Sequence, residues 1–164
     1  MYDFAIDPDA PKLQLYADLL SAADALTQGE PDGVANMANA AALVWQMVPS
    51  LNWAGFYRLL PTDAEFELVL GPFCGKPACI RIPLGQGVCG TAAASRLTQR
   101  VADVHAFPGH IACDADSRSE LVVPVLRDGA VVAVIDLDSP LPARFDAEDQ
   151  AGFEALAALL AHRI

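Results

Sequence analysis

Between residues 12 and 28, apolar side chains recur at helical spacing (Leu13, Tyr16, Leu19 or Leu20, Ala23 and Leu26) and predict a first helix. Gly29-Glu-Pro-Asp-Gly33 breaks it. Asp32 is placed to cap a second helix with Val34, Met37, Ala41, Val44 and Val48 on one face, ended by Pro49. Met37, Trp45 and Met47 read as packing on that helix. The pattern then shortens. Leu51 to Leu60 reads as an aromatic and apolar strand, Pro61-Thr-Asp-Ala as a turn, and Glu65 to Leu70 as the returning arm of a hairpin. Gly71 to Ala78, with two glycines and two prolines, reads as a loop. Strands are predicted over 79–84 and 99–104, separated by a short Ala-rich helix that ends near Arg96. Two further strands, Glu120 to Leu126 and Val131 to Leu137, flank Asp128-Gly129, a hairpin turn signal. Asp146 caps a last helix with Phe153, Leu156, Leu159 or Leu160, and Ile164 on its apolar side.

The order is two helices, a run of strands with one short inserted helix, and a final helix. A doubly wound parallel sheet would alternate strands with longer helices. The pattern therefore predicts α+β: a central antiparallel sheet with terminal helices on one face and active-site loops on the other. No repeat or linker divides residues 1–164, so one domain is expected.

The 164 residues can bury a substantial core, and a composition 54% hydrophobic and 19% charged is that of a globular chain. A formal net charge of −11 disfavours nucleic acid and anionic membrane as partners and suits a pocket that holds a cation. The first residues are acidic and lack the layout of a signal peptide, and no apolar run reaches membrane-spanning length. A cytoplasmic protein is expected. Four cysteines, at 74, 79, 89 and 113, would then sit in a reducing compartment, where redox or metal chemistry is favoured over structural disulfides. Single cysteines can also be small buried hydrophobes.

Gly85-x-Gly87-x-x-Gly90 matches a dinucleotide fingerprint, but the helix after it is short and the sheet is antiparallel. A tight strand-to-helix turn explains these glycines. It places Cys89 near a helix N-terminus, where the dipole is expected to lower a thiol's pKa. A zinc site built from the four cysteines, or from His105, His110 and Cys113, lacks the tight ligand pairs of structural zinc, so no metal is assigned. Asp136 and Asp138 lie on the same face of a strand end. Two such carboxylates either face solvent before Ser139-Pro140 or need a cation or proton to relieve their repulsion. The hairpin brings Glu120 beside them, which favours the second reading. Trp53 and Tyr57 share a face of the first strand, as core aromatics or as pocket walls.

Cys113 sits in a loop of small, polar and acidic residues, Gly109 to Glu120, just before an apolar strand. The run Arg100 to Cys113 and the segment Ser119-Glu-Leu-Val-Val-Pro124 resemble the free methionine-(R)-sulfoxide reductases, in which a single GAF domain serves as an enzyme. So do Leu51-Asn-Trp-Ala-Gly-Phe-Tyr57, Gly71-Pro-Phe, Gly75-Lys-Pro-Ala-Cys79 and Gly87-Val-Cys-Gly-Thr-Ala-Ala-Ala94. The similarity runs from roughly residue 13 to the C-terminus.

The resemblance implies thiol-dependent reduction of free L-methionine-(R)-S-oxide, with Cys113 as nucleophile and Cys79 as resolving thiol. Cys89 would form an alternative or relayed disulfide. It implies Glu120 as acid, Asp136 and Asp138 as holders of the substrate ammonium, and Trp53 and Tyr57 as walls for the methyl and thioether end. Thioredoxin is the implied reductant, no cofactor is implied, and a homodimer is expected. The preference for the R epimer comes from the resemblance alone. Cys74 departs from the pattern, since relatives commonly carry a non-thiol there. The rival from another class is a non-catalytic GAF module that binds a small ligand.

Overall fold

The computed structural model describes residues 10–63, 65–111 and 114–164. Helices α1 (Lys12–Thr27) and α2 (Gly33–Met47) lead into strands β1 (Trp53–Pro61), β2 (Phe66–Gly75) and β3 (Arg81–Pro83). Helix α3 (Gly87–Ser95), β4 (Gln99–Val101), a 3-10 turn (Val104–Ala106), β5 (Ser119–Arg127), β6 (Ala130–Ser139) and α4 (Ala147–Leu160) follow. The six strands form one sheet in the order β3-β2-β1-β6-β5-β4, and every neighbouring pair is antiparallel. The α+β expectation holds.

Strand periodicity divides the sheet into two unlike faces. Ala54 and Phe56 of β1, Leu121, Val123 and Val125 of β5, and Ala133, Ile135 and Leu137 of β6 form one core with α1, α2 and α4. The alternate residues Trp53, Tyr57, Val122 and Val134 turn the other way, onto Val88, Cys89, Ala92 and Ala93 of α3. That second face also carries Glu120, Asp136 and Asp138. Asp128 (φ 51°) and Gly129 (φ 79°) make the β5–β6 turn, both left-handed, as a two-residue hairpin of this twist requires.

Both predicted caps are formed. The Asp32 side chain accepts from Val34 N and Ala35 N at 2.9 Å. Asp146 opens α4 in a capping box with Asp149. Asp149 is fully buried and accepts from Tyr16 Oη and Lys12 Nζ, both at 2.6 Å, from Arg144 at 3.1 Å, and from Asp146 N at 2.8 Å. It thereby ties α1 to α4. Asp149→Ala leaves the buried Tyr16 hydroxyl without its acceptor and the Arg144 guanidinium without its carboxylate, held among the described residues only by the Pro49 carbonyl, and is expected to cost about 3 kcal/mol. Urea unfolding measures this, and a loss below ~1 kcal/mol would contradict the tie.

Four details depart from the sequence pattern. Residues 71–75 continue β2 rather than forming a loop, pairing Phe73 with Gly55, Cys74 with Ala54 and Gly75 with Trp53 across a bulge. β3 pairs with 67–69 and Leu70 N donates to the Ile80 carbonyl at 2.9 Å, so among the described residues this pairing stops short of Pro72, whose missing N–H costs it no ladder bond. β3 and β4 are shorter than expected, and Asp103 instead caps the 3-10 turn through His105 N. Trp45 is 42% exposed, whereas Met37 and Met47 are buried.

The Gly85–Gly90 turn follows the structural reading of its glycines. Gly85 (φ 78°) and Gly87 (φ 60°) are left-handed, and a Cβ on Gly90 would lie 2.4 Å from the Pro83 carbonyl oxygen. The turn thus seats the start of α3 tightly on the end of β3 and holds Cys89 over the sheet.

Candidate active site

On the α3 side of the sheet a cleft of about 530 Å³, counted out to its open mouth, is lined by Trp53, Tyr57, Cys89, His110, Glu120, Asp136 and Asp138 among others. Its floor comes from strand register. Glu120 lies opposite Asp138, and Asp136 opposite Val122, so alternation turns all three carboxyl groups into the same space. Glu120 and Asp136 are each 6% exposed.

Three buried acids this close cannot all ionise freely. Burial, and then the neighbouring Asp136 and Asp138, push Glu120 well above the usual carboxylate value. Burial, with Asp136 beside it, pushes Asp138 well up too. Asp136 rises less, to about 6: burial raises it, while hydrogen bonds from Cys89 and Glu120 favour its charged form. Asp136 therefore ionises most readily of the three. Its Oδ1 is nevertheless buried without a hydrogen-bond partner among the described residues. That orphaned acceptor points to a donor supplied from outside.

Cys89 carries a free thiol, fully buried against this floor. The expected lowering of its pKa by the helix dipole is overturned. Burial, followed by Asp136 and Glu120, pushes the thiol well above its ordinary value. Desolvation and two acidic neighbours outweigh half a helix-end charge from a helix of nine residues.

The walls are aromatic. Trp53 stacks on Tyr57 at 5.8 Å between ring centroids and on Phe73 at 5.2 Å. Both are buried, so they are core residues and pocket walls at once. Each holds the segment that carries Cys79: Tyr57 Oη donates to the Cys79 carbonyl at 3.0 Å, and Trp53 Nε1 to the Lys76 carbonyl at 3.1 Å. Cys79 is disulfide-bonded, and Cys74 is a free, half-buried thiol on β2. Cys113 lies outside the described residues.

Residues after position 113 are nonetheless well tied. Asn52 Nδ2 donates to Asp114 at 3.1 Å and to Ser117 Oγ at 3.0 Å, and Ser117 hydrogen-bonds Asp138. Lys76 bridges Asp114 at 3.1 Å and Asp116 at 2.5 Å, joining the Cys79 segment to the chain that follows position 113. His110 sits with Nε2 3.9 Å from Glu120, and burial lowers its pKa, which favours the neutral ring. The sequence offered His110 only as a metal ligand, and it gave no role to Asn52, Ser117 or Lys76. Asn52 was visible only as a member of the Leu51–Tyr57 segment.

Residues 37–164 match the family model described as a GAF domain. The chain is 50% identical over 149 residues to the free methionine-R-sulfoxide reductase of Escherichia coli K12, spanning 91% of this chain and 88% of that protein. It is 44% identical over 154 residues to the enzyme of the same name from Saccharomyces cerevisiae, spanning 91% and 85%. The fold superposes on the X-ray structure of free methionine-R-sulfoxide reductase from Neisseria meningitidis in complex with its substrate, with a TM-score of 0.92 and 43% identity, covering 99% of this chain and 95% of that one. The chain belongs to the free methionine-R-sulfoxide reductase family of GAF domains.

Proposed function

We propose that this protein reduces free L-methionine-(R)-S-oxide to L-methionine through a cysteine sulfenic acid and an intramolecular disulfide. The carrying observation is the pocket's two ends: a buried acidic floor with an unpartnered Asp136 oxygen, and a wall of stacked Trp53 and Tyr57. A free amino acid offers an ammonium to the first and an apolar thioether end to the second. A methionine within a polypeptide has no ammonium to offer.

Cys113 is the proposed nucleophile. Its thiolate attacks at the sulfoxide, the oxygen takes up a proton, the substrate S–O bond breaks and the oxygen ends on the Cys113 sulfur, so that Cys113 is left as the sulfenic acid and the substrate departs as methionine. Glu120 is the proposed proton source, because burial and the neighbouring Asp136 and Asp138 raise its pKa and favour the protonated carboxyl. Asp136 and Asp138 receive the ammonium. The Cys79 thiol then condenses with the sulfenic acid, releasing water and leaving a disulfide. The disulfide bond at Cys79 and its anchoring by Tyr57 support that role. Cys89 is buried with a raised pKa, which suits a relay thiol better than a first attacker. A dithiol reductant of the thioredoxin class closes the cycle.

N-acetylation of the substrate tests the ammonium assignment. The free sulfoxide is expected to exceed N-acetyl-methionine-(R)-sulfoxide in kcat/KM by about 100-fold or more, the scale of hydrogen bonds to a charged group. Equal turnover of the two would sink the assignment. Asp138→Asn is expected to raise KM by about 10- to 100-fold with a smaller change in kcat, since it removes binding and leaves the reacting centre intact.

A further inference from the structure

The pocket floor has a property that an ammonium site alone does not need. One oxygen from each of Glu120 and Asp136 and the sulfur of Cys89 all lie within 4.8 Å of one another, and all three residues are buried. We propose that the reduced protein binds a thiophilic divalent cation, of the zinc, cobalt or cadmium class, through Cys89, Glu120 and Asp136.

The donor set selects that class. One sulfur with two oxygens suits a borderline-soft ion, whereas magnesium and calcium require oxygen-only shells with more ligands. Three protein ligands leave the fourth tetrahedral position facing the cleft, the arrangement of an open zinc site. Tetrahedral zinc holds ligand atoms roughly 3.5 Å apart, and the separations here all fall within 4.8 Å, with Asp136 hydrogen-bonded to both Cys89 and Glu120. The Asp136 Oδ1 that lacks a partner among the described residues is a ready ligand atom.

Binding exchanges protons for metal. A bond forms from the ion to the Cys89 sulfur and to each carboxylate oxygen, and any proton these groups carry goes to solvent. No electron moves. The cation site stands on this geometry, whereas its consequence for turnover rests on the ammonium assignment above. An ion on Asp136 and Glu120 would occupy the space of the substrate's ammonium, engage the proposed proton donor, and withdraw Cys89 from disulfide exchange. The ion is therefore an inhibitor that competes with the amino acid.

Cobalt(II) titrated into the reduced full-length protein, freed of reductant, provides the test. A near-ultraviolet sulfur-to-cobalt charge-transfer band is expected in wild type and in Cys113→Ser, and its absence is expected in Cys89→Ser. Asp136→Asn keeps the thiol and the side-chain shape, and it is expected to weaken cobalt binding at least tenfold by calorimetry. A wild-type protein with no band, a band retained in Cys89→Ser, or cobalt affinity unchanged in Asp136→Asn would each overturn the site. Saturating L-methionine is expected to abolish the band. A band that depends on Cys89 but persists under L-methionine would keep the cation site and overturn the placement of the ammonium.

Discussion

Cys113→Ser is expected to abolish sulfoxide reduction, with a loss of roughly 10⁴-fold or more in kcat, the scale seen when a covalent nucleophile is removed. A serine hydroxyl is almost wholly protonated at neutral pH and cannot pass through sulfenic acid and disulfide states. The acidic floor and the aromatic wall of the pocket come from β1, β5 and β6, so the variant is expected to keep its affinity for L-methionine. Calorimetry alongside a reductant-consumption assay separates the two effects. Cys79→Ser should behave differently. With Cys79 as the proposed resolving thiol, its loss is expected to spare the attack, and a single turnover is expected to leave a sulfenic acid that a dimedone-type reagent traps. Substantial steady-state turnover by Cys113→Ser would move the nucleophile elsewhere. Cys89 would be the next candidate, although its burial and acidic neighbours argue against it.

Glu120→Gln carries the second large effect, with opposite signs for activity and stability. Glutamine keeps the shape of the side chain and cannot deliver a proton, so kcat is expected to fall by about 10²- to 10⁴-fold. With Glu120 as the proposed acid, the alkaline limb of the wild-type kcat profile is expected to follow its ionisation, because the proton is lost as pH rises. Stability follows the same titration. The folded protein holds the Glu120 proton at pH values where the unfolded chain has released it, so stability is greatest below the ordinary glutamate value and declines as pH rises through the raised folded value. Asp136 acts in the same direction from its ordinary 3.8 up to about 6. Asp114 and Asp146 have lowered values, so their contributions are lost only as pH falls into the acid range and do not change between pH 5 and pH 8. Glu120→Gln is therefore expected to melt higher than wild type at pH 8, by ~3 °C or more, and to converge with it toward pH 5. A melting temperature below that of wild type at pH 8 would contradict the raised value. Functional sites commonly hold groups at a cost to the fold.

The pocket floor could be read from sequence because strand physics is periodic. Asp128-Gly129 fixed the hairpin, and alternation then forced Glu120, Asp136 and Asp138 onto one face. The two caps, at Asp32 and Asp146, were legible for a similarly local reason. Features that depend on three-dimensional neighbours were not. The dipole argument for Cys89 is sound for an exposed helix end, and it failed because the thiol is buried and because Asp136 and Glu120 arrive from strands 47 and 31 residues away. Gly71 to Gly75 carries loop chemistry and is a strand because β1 needs a partner opposite Trp53 to Gly55. The outward position of Trp45 was hidden by an α2 sequence apolar on most of its circumference. Asn52 and Lys76 make their contacts across 62 and 38 residues, which no local pattern reports.

The central claim is that the pocket turns over one epimer of one free amino acid. Reductant consumption by the fully reduced wild-type protein, measured on free L-methionine-(R)-sulfoxide and on the S epimer, tests it most directly. The account predicts steady turnover of the R epimer and none of the S. A folded, reduced protein that binds L-methionine and consumes no reductant on either sulfoxide would contradict it and leave a ligand-binding GAF module.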